Sequence, residues 1–217
     1  MSIIPPSTRF IGISERVDLT ERKSSYINNE TEPYTMDDIA STVAVPFVNS
    51  GLYSQTANSP VVTNTTTESS LVDGGIGGLA VPANGFSVGD SFRVKVCGVI
   101  SCANNQTIII KVKAGSLVLL DSGAQTITNI SNDAFILDID FTIRAIGAPG
   151  SASIISVGKF SYTKTVNGNT QAFAFNTLNN TTFDTTISNT LDVTVQWGAA
   201  DPINSIYSNI FILNKTF

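Results

Sequence analysis

Apolar and polar residues alternate along most of the chain from about residue 46 onward. The clearest case is segment 135–144, in which Phe135, Leu137 and Ile139 share one side while Asp138 and Asp140 lie on the other. A period of two residues is typical of a β-strand with one buried face. Similar patterns predict strands at 92–97, 108–113, 117–120, 154–164, 191–197 and 206–213, with shorter ones at 51–56, 60–64, 77–81 and 170–175.

Turn-forming residues separate these segments, as at Asn84-Gly85 and Asn167-Gly168-Asn169. About eight to eleven strands without a convincing helix predict an all-β, two-sheet antiparallel sandwich. A jelly-roll-like topology is favoured because it accommodates long antiparallel strands and varied loops. An immunoglobulin-like sandwich is the alternative, although the chain lacks the Cys-Trp-Cys framework of that fold.

Residues 1–45 differ from the rest in charge and periodicity. Of the 12 basic and 17 acidic residues, 11 fall within this segment. We therefore predict two regions: an extended N-terminal docking arm over residues 1–45 and a jelly-roll-like β-sandwich over residues 46–217. Capping-box patterns at 18–21 and 35–38 predict at most short helices in the arm.

The apolar side chains of the arm are too few to form a core of their own. Short isolated helices are marginal in water, so we expect these side chains to be buried against a partner on which the arm becomes ordered. The predicted docking residues are Leu19, Tyr26, Ile27, Tyr34, Met36 and Ile39.

Composition narrows the functional classes. Charged residues make up 13% of the chain, against about 25% in an average soluble domain, which favours an extracellular or particle-surface setting. The formal net charge is −5 and no basic cluster is present, so we expect no nucleic-acid binding. No run approaches the roughly 18 apolar residues of a membrane span, and residues 1–6 lack a signal-peptide pattern. We therefore expect no membrane insertion and no secretion by that route.

The two cysteines, Cys97 and Cys102, are predicted to be reduced. Five residues of extended strand separate their Cα atoms by roughly 16 Å, whereas a disulfide requires about 7 Å or less. Asn104-Asn105 places the turn after Cys102, so the turn does not bring the two together. Free thiols fit synthesis in a reducing cytoplasm.

The chain offers little for catalysis. It contains no histidine, which removes the commonest general base and zinc ligand. Asp138 and Asp140 are the best pair of carboxylates, because residues two apart on a strand lie about 7 Å apart on one face, a separation near that of glycosidase acids. A solvated outer face explains them better. We predict no catalytic residues, no cofactor and no metal site, and that the protein is not an enzyme.

Three other motifs receive structural interpretations. Asp37-Asp38 and Asp73 have oxygen atoms that calcium prefers, but they fit a helix start and a tight turn. The glycines at 74–78 lack the strand-to-helix context of a nucleotide-binding loop, so we expect a connector or bulge. Trp197 has the parity of the apolar residues in its strand, which predicts a core position and not a platform for sugar stacking.

Several segments resemble tailed-bacteriophage virion structural proteins. They are 19–28 (LTERKSSYIN), 34–39 (YTMDDI), 79–93 (LAVPANGFSVGDSFR) and 209–214 (NIFILN). These segments are spread over most of the chain, from residue 19 to residue 214, and they are structural signatures, not catalytic ones. It implies a fibre, tail-tip or capsid-decoration protein, often trimeric, with a C-terminal β-sandwich. The chain departs from long fibres in having no coiled-coil or repeat shaft, so an extended fibre would need other chains.

We therefore expect a non-enzymatic virion structural protein on the particle surface, synthesised in the host cytoplasm and docked to other virion proteins through its arm. A homotrimer is the expected assembly, with a dimer next. Ile108-Ile109-Ile110 and Phe211-Ile212-Leu213 place large apolar side chains on both faces of their strands, although a sandwich buries only one face of each sheet. A module for host attachment that binds a receptor or surface glycan is the alternative. A glycosidase-type enzyme is least favoured, because acid–base groups are not evident.

Overall fold

The computed structural model describes residues 50–165 and 167–217. Within these ranges the chain forms fourteen β-strands and no helix. The strands are β1 (Ser50–Gln55), β2 (Val62–Thr63), β3 (Ser69–Ser70), β4 (Gly75–Gly77), β5 (Ala80–Val81), β6 (Ser91–Cys102), β7 (Gln106–Ala114), β8 (Leu117–Asp121), β9 (Gln125–Ile127), β10 (Ile130–Ala145), β11 (Ser153–Thr163), β12 (Thr170–Asn180), β13 (Asn189–Trp197) and β14 (Ser205–Lys215).

The strands form two antiparallel sheets that pack as a sandwich. The larger sheet has eight strands in the order β12-β11-β10-β6-β14-β1-β4, with β2 paired to β14. The smaller sheet has six strands in the order β3-β13-β7-β8, with β5 paired to β13 and β9 paired to β7. The prediction of an all-β, two-sheet antiparallel sandwich is confirmed.

The strand pairs are nested in chain order. β1 pairs with β14, β3 with β13, β6 with β10 and β7 with β8. This pattern results when one long antiparallel ribbon folds over on itself, and it defines a jelly roll, not the immunoglobulin-like alternative. The β11–β12 hairpin is inserted between β10 and β13, and it widens the larger sheet by two strands.

The longest strand, β10, illustrates why the alternating segments became strands. Phe135, Leu137 and Ile139 are buried in the core between the two sheets, while Asp138 and Asp140 are exposed. Because every second residue points into the core, the apolar side chains are removed from water, and the backbone N–H and C=O groups pair with those of neighbouring strands. The faces of this strand are therefore as predicted.

The core lies between the sheets and is rich in aromatic side chains. Trp197 is fully buried, as predicted, and its Nε1 donates a hydrogen bond to the carbonyl oxygen of Val62 at 3.2 Å. That bond satisfies the one polar atom of the indole inside the core.

Cys97 and Cys102 are free thiols, as predicted, and a turn at 104–105 follows them.

Segment 77–81 was predicted as a single strand, and the structure divides it. Its first residue belongs to β4 in the larger sheet, whereas Ala80 and Val81 form β5 and pair with β13 of the smaller sheet. The chain changes sheets at Gly77, whose φ of 99° is accessible to glycine at little cost. A period of two does not reveal such a crossing, because both pieces remain extended.

Candidate functional site

Asp37, Asp38 and the predicted docking residues of the arm lie outside the described residues. The docking residues are Leu19, Tyr26, Ile27, Tyr34, Met36 and Ile39. Their role and the domain boundary near residue 45 stay predictions. The candidate site that the structure describes is on the sandwich itself, on the outer face of the larger sheet.

Asp138 and Asp140 lie on this outer face among cations. Asp138 pairs across the sheet with Lys95 of β6 and Lys159 of β11. The Oδ1 atom of Asp140 accepts a hydrogen bond from Nε of Arg93 at 2.9 Å, with both side chains more than half exposed. The two carboxyl groups of a glycosidase flank the scissile bond of a bound sugar. The environment of these two carboxylates is instead a solvated charged row.

Next to the charged row, the strand register places apolar side chains side by side. Ile136 of β10 pairs with Cys97 of β6, which pairs with Ile210 of β14. One row further along, Ala134 pairs with Val99, and Val99 pairs with Tyr207. We call this set the apolar strip: Ala134, Ile136, Cys97, Val99, Tyr207 and Ile210.

The apolar strip is only partly shielded from water. Ile136 is 39% exposed and Ile210 is 43% exposed, and Cys97, Val99 and Tyr207 are half-buried. These residues lie on the side of the sheet that faces away from the sandwich core. Antiparallel sheets in sandwiches ordinarily present a polar outer face to water. The strip is thus a contiguous apolar surface at the centre of the widest sheet.

The Cys97 thiol in the apolar strip is a poor nucleophile at neutral pH. Burial raises the pKa of Cys97, with Lys95 opposing that change and Asp138 adding to it. Burial also raises the pKa of Cys102 to about 11. A thiol with a raised pKa is protonated at neutral pH, and the protonated form is a poor nucleophile. Cys97 therefore acts in this surface as a small apolar side chain.

The smaller sheet carries a charged cluster that the sequence analysis missed. Glu68, just before β3, accepts hydrogen bonds from Nζ of Lys111 at 2.8 Å, from Nζ of Lys113 at 3.0 Å and from the hydroxyl of Thr194 at 2.9 Å. These hydrogen bonds lower the pKa of Glu68 to about 2, and the bond from Lys111 has the largest effect. The sequence signal that could have revealed this cluster is the pair Lys111 and Lys113, because residues two apart on one strand lie on the same face.

The glycine-rich segment 74–78 is not a loop that cradles an anion. Three of its five residues, Gly75–Gly77, form the edge strand β4, which pairs with β1. A Cβ atom on Gly75 would lie 2.3 Å from the carbonyl oxygen of Ser54, and one on Gly77 would lie 1.9 Å from that of Leu52. The glycines thus permit close backbone approach, and Gly75–Gly77 form an edge strand where we expected a connector or bulge. Asp73 accepts a hydrogen bond from the Tyr53 hydroxyl through its carbonyl oxygen.

Residues 50–165 and 167–217 contain no group of three or more His, Cys, Asp or Glu residues placed to hold a metal ion. No helix long and apolar enough to cross a membrane occurs in the same ranges.

Comparison with known proteins found no relative: no protein-family model, no curated protein and no solved structure matches the chain. The fold and the surfaces described above therefore define the class of the protein, which is an all-β jelly-roll sandwich with an apolar strip on its widest sheet.

Proposed function

We propose that this protein is a non-enzymatic structural component of a virion surface, and that it self-associates through the outer face of the larger sheet. The apolar strip is the observation that carries the proposal. Contiguous apolar side chains on a surface mark interaction sites, whereas scattered ones do not. The strip joins residues of three adjacent strands, so it forms a continuous patch.

The charged row beside the strip suits a second copy of the same chain. Acidic and basic side chains alternate across β11, β10 and β6, in the order Lys159, Asp138, Lys95. Around a three-fold axis, a row that carries both signs can place its acid against a base of the next copy, so that each copy makes the same head-to-tail contact with its neighbour. The apolar strip would supply the contact area, and the charged row would set the orientation.

The proposed assembly is a homotrimer docked to other virion proteins through the N-terminal arms. Cyclic association would hold several arms side by side and multiply weak docking contacts. The resemblance of segments 19–28, 34–39, 79–93 and 209–214 to phage virion proteins supports the same location on a fibre, tail tip or capsid decoration.

Light scattering on the purified full-length chain at micromolar concentration tests this function. We expect a mass three times that of the 23.0 kDa chain. Ile136→Lys and Ile210→Asp should each shift the species to a monomer with an unchanged far-ultraviolet spectrum, because each places a charge in the apolar strip. Ile187→Lys is the matched control, since Ile187 is 55% exposed in the loop before β13; it should leave the mass unchanged.

Two results would contradict this proposal. A wild-type mass of 23.0 kDa at every concentration would show that the strip does not mediate self-association. A multimer that survives both strip substitutions would place the contact elsewhere on the chain.

Host attachment through a receptor or glycan remains the alternative proposal, and the described surface favours it less. Sugar-binding sites commonly present exposed aromatic rings for stacking. Among the described residues, Phe217 is the one exposed aromatic side chain, and it lies at the end of the chain. The apolar strip is therefore the stronger basis for a function.

A further inference from the structure

The sandwich contains a half-open cavity of about 260 Å³ between its two sheets. Leu213 of β14 and Ile154 of β11 line it from the larger sheet, and Leu191 of β13 lines it from the smaller sheet. Residues 78–82, which contain the end of the crossing from β4 and the strand β5, also line it and are partly exposed. Protein cores are close-packed and rarely hold voids larger than a water molecule, so a space of this size requires an explanation.

One wall of the cavity is aromatic. Phe86 contacts Phe183 edge-on, with ring centroids 5.5 Å apart, and Phe92 stacks on Phe141 at 5.0 Å. Phe86 also meets Phe92 edge-on at 6.1 Å, which joins the two pairs into one cluster. All four rings line the cavity. Aromatic rings attract further rings in edge-to-face and offset-stacked geometries, so this wall favours a planar aromatic occupant.

Asn189 is the single polar side chain that lines the cavity, and it is nine-tenths buried. Its Nδ2 atom donates to the carbonyl oxygens of Asp184 at 2.8 Å and Ile187 at 3.0 Å. Both amide hydrogens are therefore used within the chain. The Oδ1 atom retains the capacity to accept a hydrogen bond from an N–H or O–H donor.

We propose that this cavity binds a small, uncharged aromatic molecule that carries one hydrogen-bond donor, of the size of phenol or indole. A cavity of about 150 Å³ lined by apolar side chains holds benzene, so the larger space here accommodates one or two fused rings. A water cluster would need several polar partners, and the lining offers one polar side chain. A charged ligand is disfavoured, because nothing in the lining neutralises it. This site goes beyond the structural role proposed above and does not depend on it.

Thermal denaturation of the full-length protein with phenol or indole tests the proposal. Both should raise the melting temperature along a saturable concentration curve, because a ligand that binds the folded state alone stabilises it by mass action. Benzene, which lacks the donor, should bind at least several-fold more weakly than phenol. Benzamidinium, an aromatic cation, should give no shift.

Two substitutions and a control assign the binding to the cavity. Ala114→Leu fills the space from β7, and Ala80→Trp closes its rim from an exposed position that does not threaten folding. Each should weaken phenol binding at least tenfold. Ala172→Leu adds the same bulk at an exposed position of β12 and should bind phenol like the wild type.

Three outcomes would overturn the assignment. No shift with phenol or indole up to their solubility would mean that the cavity is unoccupied. An equal shift in both cavity variants would place the ligand elsewhere, and equal affinity for benzene and phenol would remove the role of Asn189. A crystal of the wild-type protein soaked in phenol should show the ring against Phe86 and Phe183.

Discussion

Replacement of Glu68 by glutamine should lower the stability of the sandwich in a pH-dependent way. The carboxylate joins the segment before β3 to the outer face of the smaller sheet through Lys111, Lys113 and Thr194. Glutamine keeps the size of the side chain but removes its charge. It therefore weakens the two lysine bonds without opening a cavity.

The pKa of Glu68 sets the size of the effect. Its value of about 2, against 4.5 for a free glutamate, corresponds to at most about 3 kcal/mol of stabilisation by the ionised form. The side chain is 26% exposed, and solvent screening reduces that figure. We expect the Glu68→Gln variant to be about 1–2 kcal/mol less stable than wild type at pH 7.

The pH dependence follows from the direction of the pKa change. Because folding lowers the pKa of Glu68, its stabilisation is complete above pH 4.5 and is lost as pH falls toward 2. Urea denaturation of wild type and variant at pH 7, 4 and 2.5 measures this. The difference in unfolding free energy should be full at pH 7, smaller at pH 4 and small at pH 2.5.

Asp140→Asn is the matched control for the Glu68 experiment. It neutralises a carboxylate whose ion pair with Arg93 is exposed, at 58% and 61%. Exposed pairs contribute little, so the expected change is below about 0.5 kcal/mol at each pH. A Glu68→Gln difference that stayed constant across the three pH values, or that did not exceed the control, would refute the reasoning.

Two substitutions in the core test the assignment of faces and the close approach of strands. Phe141→Asp should unfold the sandwich in circular dichroism melts, because it buries a charge and removes an aromatic side chain worth about 3–5 kcal/mol; if it behaved like Asp140→Asn, the assigned faces would be wrong. Gly98→Ala should cost about 1–3 kcal/mol in urea denaturation, since its Cβ atom would lie 2.0 Å from the carbonyl oxygen of Tyr207 and 2.7 Å from the Phe135 ring. Gly74→Ala is the control, because no atom lies within 4 Å of that Cβ position; equal losses from both would contradict the steric argument.

The alternation of apolar and polar residues by itself determined most of the long strands and their buried faces. In β10 the sequence shows which side is apolar, and the buried positions Phe135, Leu137 and Ile139 follow from it. Trp197 could be placed in the core for the same reason. Side-chain direction along a strand is a local property with a period of two, so it can be inferred without knowledge of the partner strands.

Only the tertiary structure decided which strands meet and in which register. Residues 97, 136 and 210 lie far apart in the chain, and pairing of β6, β10 and β14 brings them into one strip. Glu68 reaches Lys111 in the same way, and the cavity is lined by residues of both sheets together with 78–82, which follow β4. Strand pairing is non-local, and many registers satisfy the same alternating pattern. The choice among them depends on the packing of the whole core and on the geometry of the turns.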